Sequence, residues 1–592
     1  MERMARSGMS DGLVKVLAVI GGITVLLVVL ILVINAYTRL TRNRIPSRTI
    51  LEIDFGRGLV EYVPDGAVTR LIKGEQLTIK NVVQALDAAS EDKRILGAVA
   101  RVGGTAMSFA DVQELRGAVA RFRASGKPTF AFAESFGELG HGNSSYYLAA
   151  SFEQIYLMPS GSVGLTGIIS QASFLKGTLD KLDVVPQLGA RREYKTARNT
   201  LTQTGYTEEH REVSETIVES VLSQMVKDIS SNRNMSEGAF RELITQGPFT
   251  ARQALKAKLV DGLEYRDQVF ERMREKVEKP ARFLYLSQYM KRRSKDRAGG
   301  KAVALIYGQG TIVQGQSRYN PVSGEIVMGS ETVGAAIRAA IKDKDVGAIV
   351  FRINSPGGSH IGSDVIWRET VRAREAGKAV IVSMGAVAGS GGYYVAADAD
   401  KIIAQPSTIT GSIGVVGGKV VVRGLYNKLG VTFDDVKTSP NATIWSPTHE
   451  FTEEQWEYIQ LWLDKVYDDF VTKVAKGRSM RKERVFEIAR GRIYTGAQAL
   501  ELGLVDTLGG FEAAFSQAKQ FMGIPEDEKV AIKQFPRRRG WVEQLFGRKP
   551  ESSEGRGSAA HSDVNWIGPA GLLEEEFDLR RGILLMQEPK LR

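Results

Sequence analysis

The sequence predicts an α/β protein made of two tandem copies of one domain behind an N-terminal transmembrane helix. Three observations predict it. The chain repeats itself at an offset of about 250 residues, far beyond the roughly 20–50-residue periods of solenoids. Within each copy, short apolar runs alternate with helical patterns, which implies a mostly parallel sheet. Ahead of both copies, Val16 to Ile34 carries no formal charge.

The apolar stretch comes first. At about 1.5 Å rise per residue it nearly spans a ~30 Å hydrocarbon core, with Thr24 its main polar interruption. The exit reads Asn35-Ala36-Tyr37-Thr38-Arg39, without a small-x-small cleavage site, so an uncleaved anchor is expected. Arg3, Arg6 and Lys15 lie on one side. Arg39, Arg42, Arg44 and Arg48 lie on the other, so charge does not set its orientation.

The repeat is carried by several pairs. Gly97-Ala98-Val99 matches Gly347-Ala348-Ile349, and Gly161-Ser162-Val163-Gly164 matches Gly411-Ser412-Ile413-Gly414. Thr250 to Leu255 matches Thr495 to Leu500, and both run on to Leu-Val-Asp, at Asp261 and Asp506. Strands are expected at 49–55, 96–102 and 129–133 in the first copy, and at 302–307, 348–353 and 379–383 in the second. Helices are expected at 82–89 and 111–124. Later in each copy comes a longer helix. One has the apolar stripe Val213, Ile217, Val221, Met225 and Ile229. The other opens on a Thr452/Gln455 capping box and carries Trp456, Ile459, Leu463, Val466 and Phe470. Such stripes serve core packing or subunit contacts.

The division that follows is an anchor at 1–45, a first repeat at 46–290, a basic linker at 291–300, a second repeat at 301–530 and an extension at 531–592. Glu551 to Asp563, rich in Ser, Gly and Glu, reads as disordered. The last apolar stretch, Gly582 to Met586, is expected to dock back on the body at a place the sequence does not give.

Composition excludes several chemistries. The chain has no cysteine, so a thiol nucleophile, a disulfide framework and a Cys-based zinc site are out. It has five histidines and no His-Glu-x-x-His, which argues against a metalloprotease. No metal and no cofactor are expected. The net charge of +11 sits partly in clusters such as Arg537, Arg538 and Arg539. No aromatic-interleaved basic motif accompanies them, so anionic lipid is the expected partner and nucleic acid is not.

One asymmetry separates the copies. The first reads Asn143-Ser144-Ser145-Tyr146-Tyr147 where the second reads Ser390-Gly391-Gly392-Tyr393-Tyr394. Ser390 follows a strand and precedes a helix start, a geometry that exposes a hydroxyl at the end of a helix dipole. The small residues around it fit tight helix packing equally well. Asn354-Ser355-Pro356-Gly357-Gly358 ends a strand; its N–H groups, with that of Gly391, suit an oxyanion hole or an ordinary Pro-Gly turn. A serine needs a base. His360 reads as a loop residue without an orienting carboxylate. Lys195, in Arg192-Glu193-Tyr194-Lys195-Thr196-Ala197, reads by itself as a surface lysine, protonated at its ordinary pKa of about 10.4.

Together the motifs resemble the S49 family of serine peptidases, in its long duplicated form of the signal peptide peptidase A (protease IV) type. The resemblance covers about residues 48 to 530. It rests on Ser-Pro-Gly-Gly at 355–358, Ser-Met-Gly-x-x-x-x-Ser-Gly-Gly-Tyr at 383–393, Thr-Gly-Ser-Ile-Gly-Val at 410–415, Tyr-Lys-x-Ala at 194–197, and Tyr-Thr-Gly-x-x-Ala-x-x-x-Gly-Leu-Val-Asp at 494–506. It implies Ser390 as nucleophile, Lys195 as general base, Ser412 as the residue that holds the lysine, and two tandem crotonase-like (ClpP-type) domains. It also implies a homotetramer in a bacterial inner membrane, single-pass, with its body outside the cytoplasm. Gly358 and Gly391 are the expected oxyanion donors, and the expected substrates are apolar extended peptides such as signal-peptide remnants. A crotonase-like acyl-CoA enzyme and an inert membrane scaffold are the alternatives. Gly389 stands where the family commonly has alanine, and the tail beyond about 530 matches none of its motifs.

Overall fold

The computed structural model describes residues 19, 21–30, 44–62, 76–104, 107–278, 280–293, 300–320, 323–536 and 583–585. Of the expected span at 16–34 it describes only 19 and 21–30, which are helical and exposed; the rest lies outside the described residues. Among the described residues no helix is long and apolar enough to cross a membrane. Most of the linker at 291–300 and the expected disordered stretch at 551–563 also lie outside them.

The remainder is mixed α/β, built on two large sheets. The first is six-stranded and wholly parallel, ordered Gly262–Leu263, Gln154–Leu157, Thr129–Ala133, Ile95–Arg101, Thr49–Asp54 and Arg282–Tyr285. The second runs Ile493–Thr495, Ile409–Gly411, Ala379–Gly389, Val346–Ser355, Ala302–Gln309 and Ala531–Phe535. The expected strands lie inside these limits, apart from one-residue differences at 55 and 102. The strand expected to stop at 383 continues to Gly389, directly before Ser390. Its second part is Gly385-Ala386-Val387-Ala388-Gly389, small residues that read locally as a turn.

Ala531–Phe535, just past the second repeat as expected at 301–530, adds an edge strand to the second sheet. It pairs in parallel with Ala302–Ile306, as Arg282–Tyr285 pairs with Thr49–Glu52 in the first half. A five-residue edge strand with Lys533 and Gln534 inside it carries too weak an apolar signal to read from sequence.

A third, seven-stranded sheet crosses the repeat boundary. Val185–Arg191, from the first half, pairs antiparallel with Val415–Val421, from the second, over seven consecutive residues. The long helices close the cores. In Glu208–Arg233, Val221, Met225 and Ile229 fill the first core, while Val213 and Ile217 pack on Val387 and Ile409 of the second half. Glu453–Gly477 opens on the Thr452/Gln455 capping box and buries Ile459, Leu463, Val466 and Phe470. Both stripes therefore pack within one chain. Between the halves, buried Arg352 donates to Glu61 at 2.7 Å and to Glu114 at 2.8 Å.

Candidate active site

Ser390 sits where the long central strand turns into the short helix Gly391–Tyr394. Its backbone takes φ 54° and ψ −114°, and its N–H donates to the Gly411 carbonyl at 2.8 Å. A non-glycine residue at positive φ is held there by its surroundings. The fixed backbone aims the hydroxyl off the end of the sheet. The side chain is buried, with 0% of the residue exposed.

Lys195 reaches this hydroxyl from the other half of the chain. It follows the cross-boundary strand, just before the 3₁₀ turn Thr196–Arg198. Its Nζ lies 2.8 Å from Ser390 Oγ, 2.9 Å from Ser412 Oγ and 2.9 Å from the Ser412 carbonyl. The sequence made Lys195 a surface residue; in the structure only 2% of it is exposed. Among the described residues no carboxylate pairs with it. Burial with no compensating charge pushes its pKa well below the ordinary lysine value. A desolvated amine ringed by hydroxyls and a carbonyl can remain neutral and accept a proton.

Two glycines of the second half make room for this lysine. A Cβ on Gly491 would come within 2.6 Å of the Lys195 Cβ and backbone nitrogen, and Gly491 has φ +79°. A Cβ on Gly414 would meet Lys195 Cδ at 3.2 Å and the Arg191 carbonyl at 2.4 Å. The approach is braced outside by Arg490 on Glu193, and by Tyr194 and Arg492 on Glu212. Sequence reasoning missed Gly491 entirely; a single glycine between two arginines carries no local signal. A cavity of about 30 Å3 adjoins the lysine, lined by Tyr194, Lys195, His210, Ser412 and Gly491 among others. That is room enough to hold water.

The glycines expected to act as donors are also adjacent. A Cβ on Gly391 would lie 3.1 Å from the Gly358 nitrogen. Gly391 opens its helix, so its N–H has no acceptor within that helix. Gly358 lies in the strand Gly357–Ser359 at φ +149°. A side chain there would strike Ile312, with the Ile312 carbonyl 2.1 Å from its Cβ.

His360 is not part of this group. It is the first residue of the helix His360–Glu375 rather than a loop residue, and its Nε2 lies 3.3 Å from Asp469 Oδ2. The carboxylate beside it comes from a residue distant in sequence, so no local pattern announced it. In the first half, Asn143 opens the helix equivalent to the one after Ser390. Its side chain is tied to the backbone, donating to Gly167 and accepting from the Thr166 N–H. The pairing of Ser390 with a lysine therefore occurs once in the chain among these two corresponding positions.

The model of peptidase family S49 matches residues 121–279 and 372–524, one stretch in each half. "Protease 4" of Salmonella typhi is 33% identical over 466 residues, which cover 76% of this chain and 73% of that protein. "Serine protease SPPA, chloroplastic" of Arabidopsis thaliana is 29% identical over 78% of this chain and 68% of its own length. "Protease 4" of Haemophilus influenzae is 30% identical over 76% and 74% respectively.

Proposed function

This chain belongs to peptidase family S49, as its matches in both halves show, and from that membership we propose that it cleaves peptides with a Ser390–Lys195 dyad assembled from its two halves. It is a serine endopeptidase by family and by relatives of the long form. The observation that carries the dyad is the 2.8 Å contact between Lys195 Nζ and Ser390 Oγ, with no carboxylate paired to the lysine among the described residues.

Neutral Lys195 takes the Ser390 proton as Oγ bonds to the substrate carbonyl carbon. The N–H groups of Gly358 and Gly391 hold the oxyanion that develops. The C–N bond breaks as Lys195, now protonated, gives its proton to the leaving amine. A water then loses a proton to Lys195 and attacks the acyl carbon. The acid departs and Ser390 Oγ recovers its proton. Ser412 offers both a hydroxyl and a carbonyl to Nζ and so fixes where the lysine points.

The substrates in this reading are apolar, extended peptides, signal-peptide remnants among them. The two large sheets are two tandem crotonase-like domains, supported by their matching parallel edge strands. The chain is anchored in a bacterial inner membrane through residues 16–34, with its body outside the cytoplasm and anionic lipid beside its basic clusters. Support for the anchor is the uncharged apolar run itself. The chain forms a homotetramer; exposed Leu429, Val436 and Leu461 are apolar surface that assembly would cover.

The test is hydrolysis of a small apolar peptide by the wild type, Ser390→Ala and Lys195→Ala, with assembly followed by sedimentation. Both variants should assemble as the wild type does and lose activity. Substantial turnover by a clean Lys195→Ala preparation would remove the lysine from the mechanism.

A further inference from the structure

The seven-stranded sheet contains one strand from far along the chain. Ile583–Leu585 lies between Gly357–Ser359 on one side and Val415–Val421 on the other. It runs antiparallel to both, with Gly357 opposite Leu585, Gly358 opposite Leu584, Ser359 opposite Ile583, and Val416 opposite Ile583. We propose that this C-terminal segment is a built-in occupant of the substrate slot, and that an external peptide must displace it before it can be cut. The proposal rests on the Ser390–Lys195 reading above for what the slot is used for.

The argument is one of backbone geometry. Neighbouring strands lie about 4.8 Å apart, so two strands flanking a third are about 10 Å apart and cannot bond each other. Without the middle strand, the edges at 357–359 and 415–416 would face each other with unpaired N–H and C=O groups. Such a gap accepts an extended chain of almost any sequence through its main chain. The expected oxyanion donor Gly358 is the residue opposite Leu584. Val415 stands three positions after Ser412, whose side chain holds Lys195. A peptide presented to Ser390 along these edges and the strand 583–585 therefore compete for one place. The segment is Gly582-Ile583-Leu584-Leu585-Met586, uncharged and apolar, the character expected of the substrates. It is covalently tethered, and tethering gives an effective concentration in the millimolar range for short flexible linkers. A weak intrinsic affinity is then enough for high occupancy.

The test uses the full chain carrying Leu584→Pro. Proline removes the N–H of the residue opposite Gly358 and disfavours continued pairing. Its KM for a small apolar peptide should fall roughly tenfold with kcat unchanged, the effect of removing a tethered competitor. A chain ending at Arg581 should behave in the same way. In a binding arm, a labelled synthetic peptide spanning 580–588 is added to the chain ending at Arg581 that also carries Ser390→Ala. It should bind, be displaced by the substrate peptide, and bind at least tenfold more weakly to the full-length Ser390→Ala protein. An unchanged KM in Leu584→Pro together with no binding of the 580–588 peptide would overturn the proposal. The binding arm needs no turnover, so it stands even if the assignment of Lys195 as base fails.

Discussion

Gly491 lies against Lys195 so closely that a single added carbon would come within 2.6 Å of the lysine's own Cβ and backbone nitrogen. One residue belongs to the second half of the chain and the other to the first, so the position of the base depends on a glycine almost 300 residues away. The left-handed φ of +79° adds a second reason for glycine there.

Gly491→Ala should therefore lower kcat roughly 100-fold, the cost of moving a catalytic group by about 1 Å. KM should change little, because Gly491 is placed against the lysine. Reaction of Ser390 with a fluorophosphonate probe would fall in parallel. Undiminished labelling would mean that the lysine does not need this clamp.

The pH dependence follows from burial. Lys195 is held well below the ordinary lysine pKa by desolvation, and only its neutral form accepts a proton. Activity should thus rise with pH as Lys195 loses its proton, with the rising limb well below 10.5. The ammonium form dominates on the acid side and is inactive. A kcat/KM profile that rises only near the ordinary lysine pKa would contradict a desolvated base.

Ser412→Ala removes one of two Ser412 atoms within 2.9 Å of Nζ while keeping the carbonyl. Loss of one such hydrogen bond, worth about 1–2 kcal/mol, predicts a roughly 10-fold lower kcat at unchanged KM. Steady-state kinetics at saturating and limiting peptide separate the two parameters. A pure KM effect would place Ser412 on the substrate instead.

Arg352→Met tests the joint between the halves. Arg352 is buried and donates to Glu61 and Glu114, so its loss leaves two carboxylates buried without a cation. Destabilisation of about 3–5 kcal/mol is expected at neutral pH. Denaturant midpoints of the wild type and the variant measure it. A loss below about 1 kcal/mol would show that the joint does not depend on pairing Arg352 with Glu61 and Glu114.

Short-range pattern made much of this legible in the sequence. The capping box at Thr452 and Gln455 appears as read, because it involves residues three apart. The strand at Thr129–Ala133 and the helix stripes follow from periodicities of two and 3.6 residues. The strand leading to Ser390 continues six residues past the expected 383, because its end is mostly glycine and alanine and is strand only through its partners at 353–355 and 409–411.

The sequence by itself determined the α/β class, the doubling, the family, and which serine and lysine differ between the copies. Those rest on residue identity and local order, which folding does not alter. Tertiary structure alone decided that Lys195 is buried, with its pKa pushed well below the ordinary lysine value, rather than exposed. The antiparallel pairing of 185–191 with 415–421 carries the lysine across the repeat boundary, and Ser412, Gly414 and Gly491 close around it. It also decided that residues 583–585 lie beside Gly358. Both are contacts between segments distant in the chain. Desolvation and strand pairing depend on what surrounds a residue in space, which a reading along the chain does not contain.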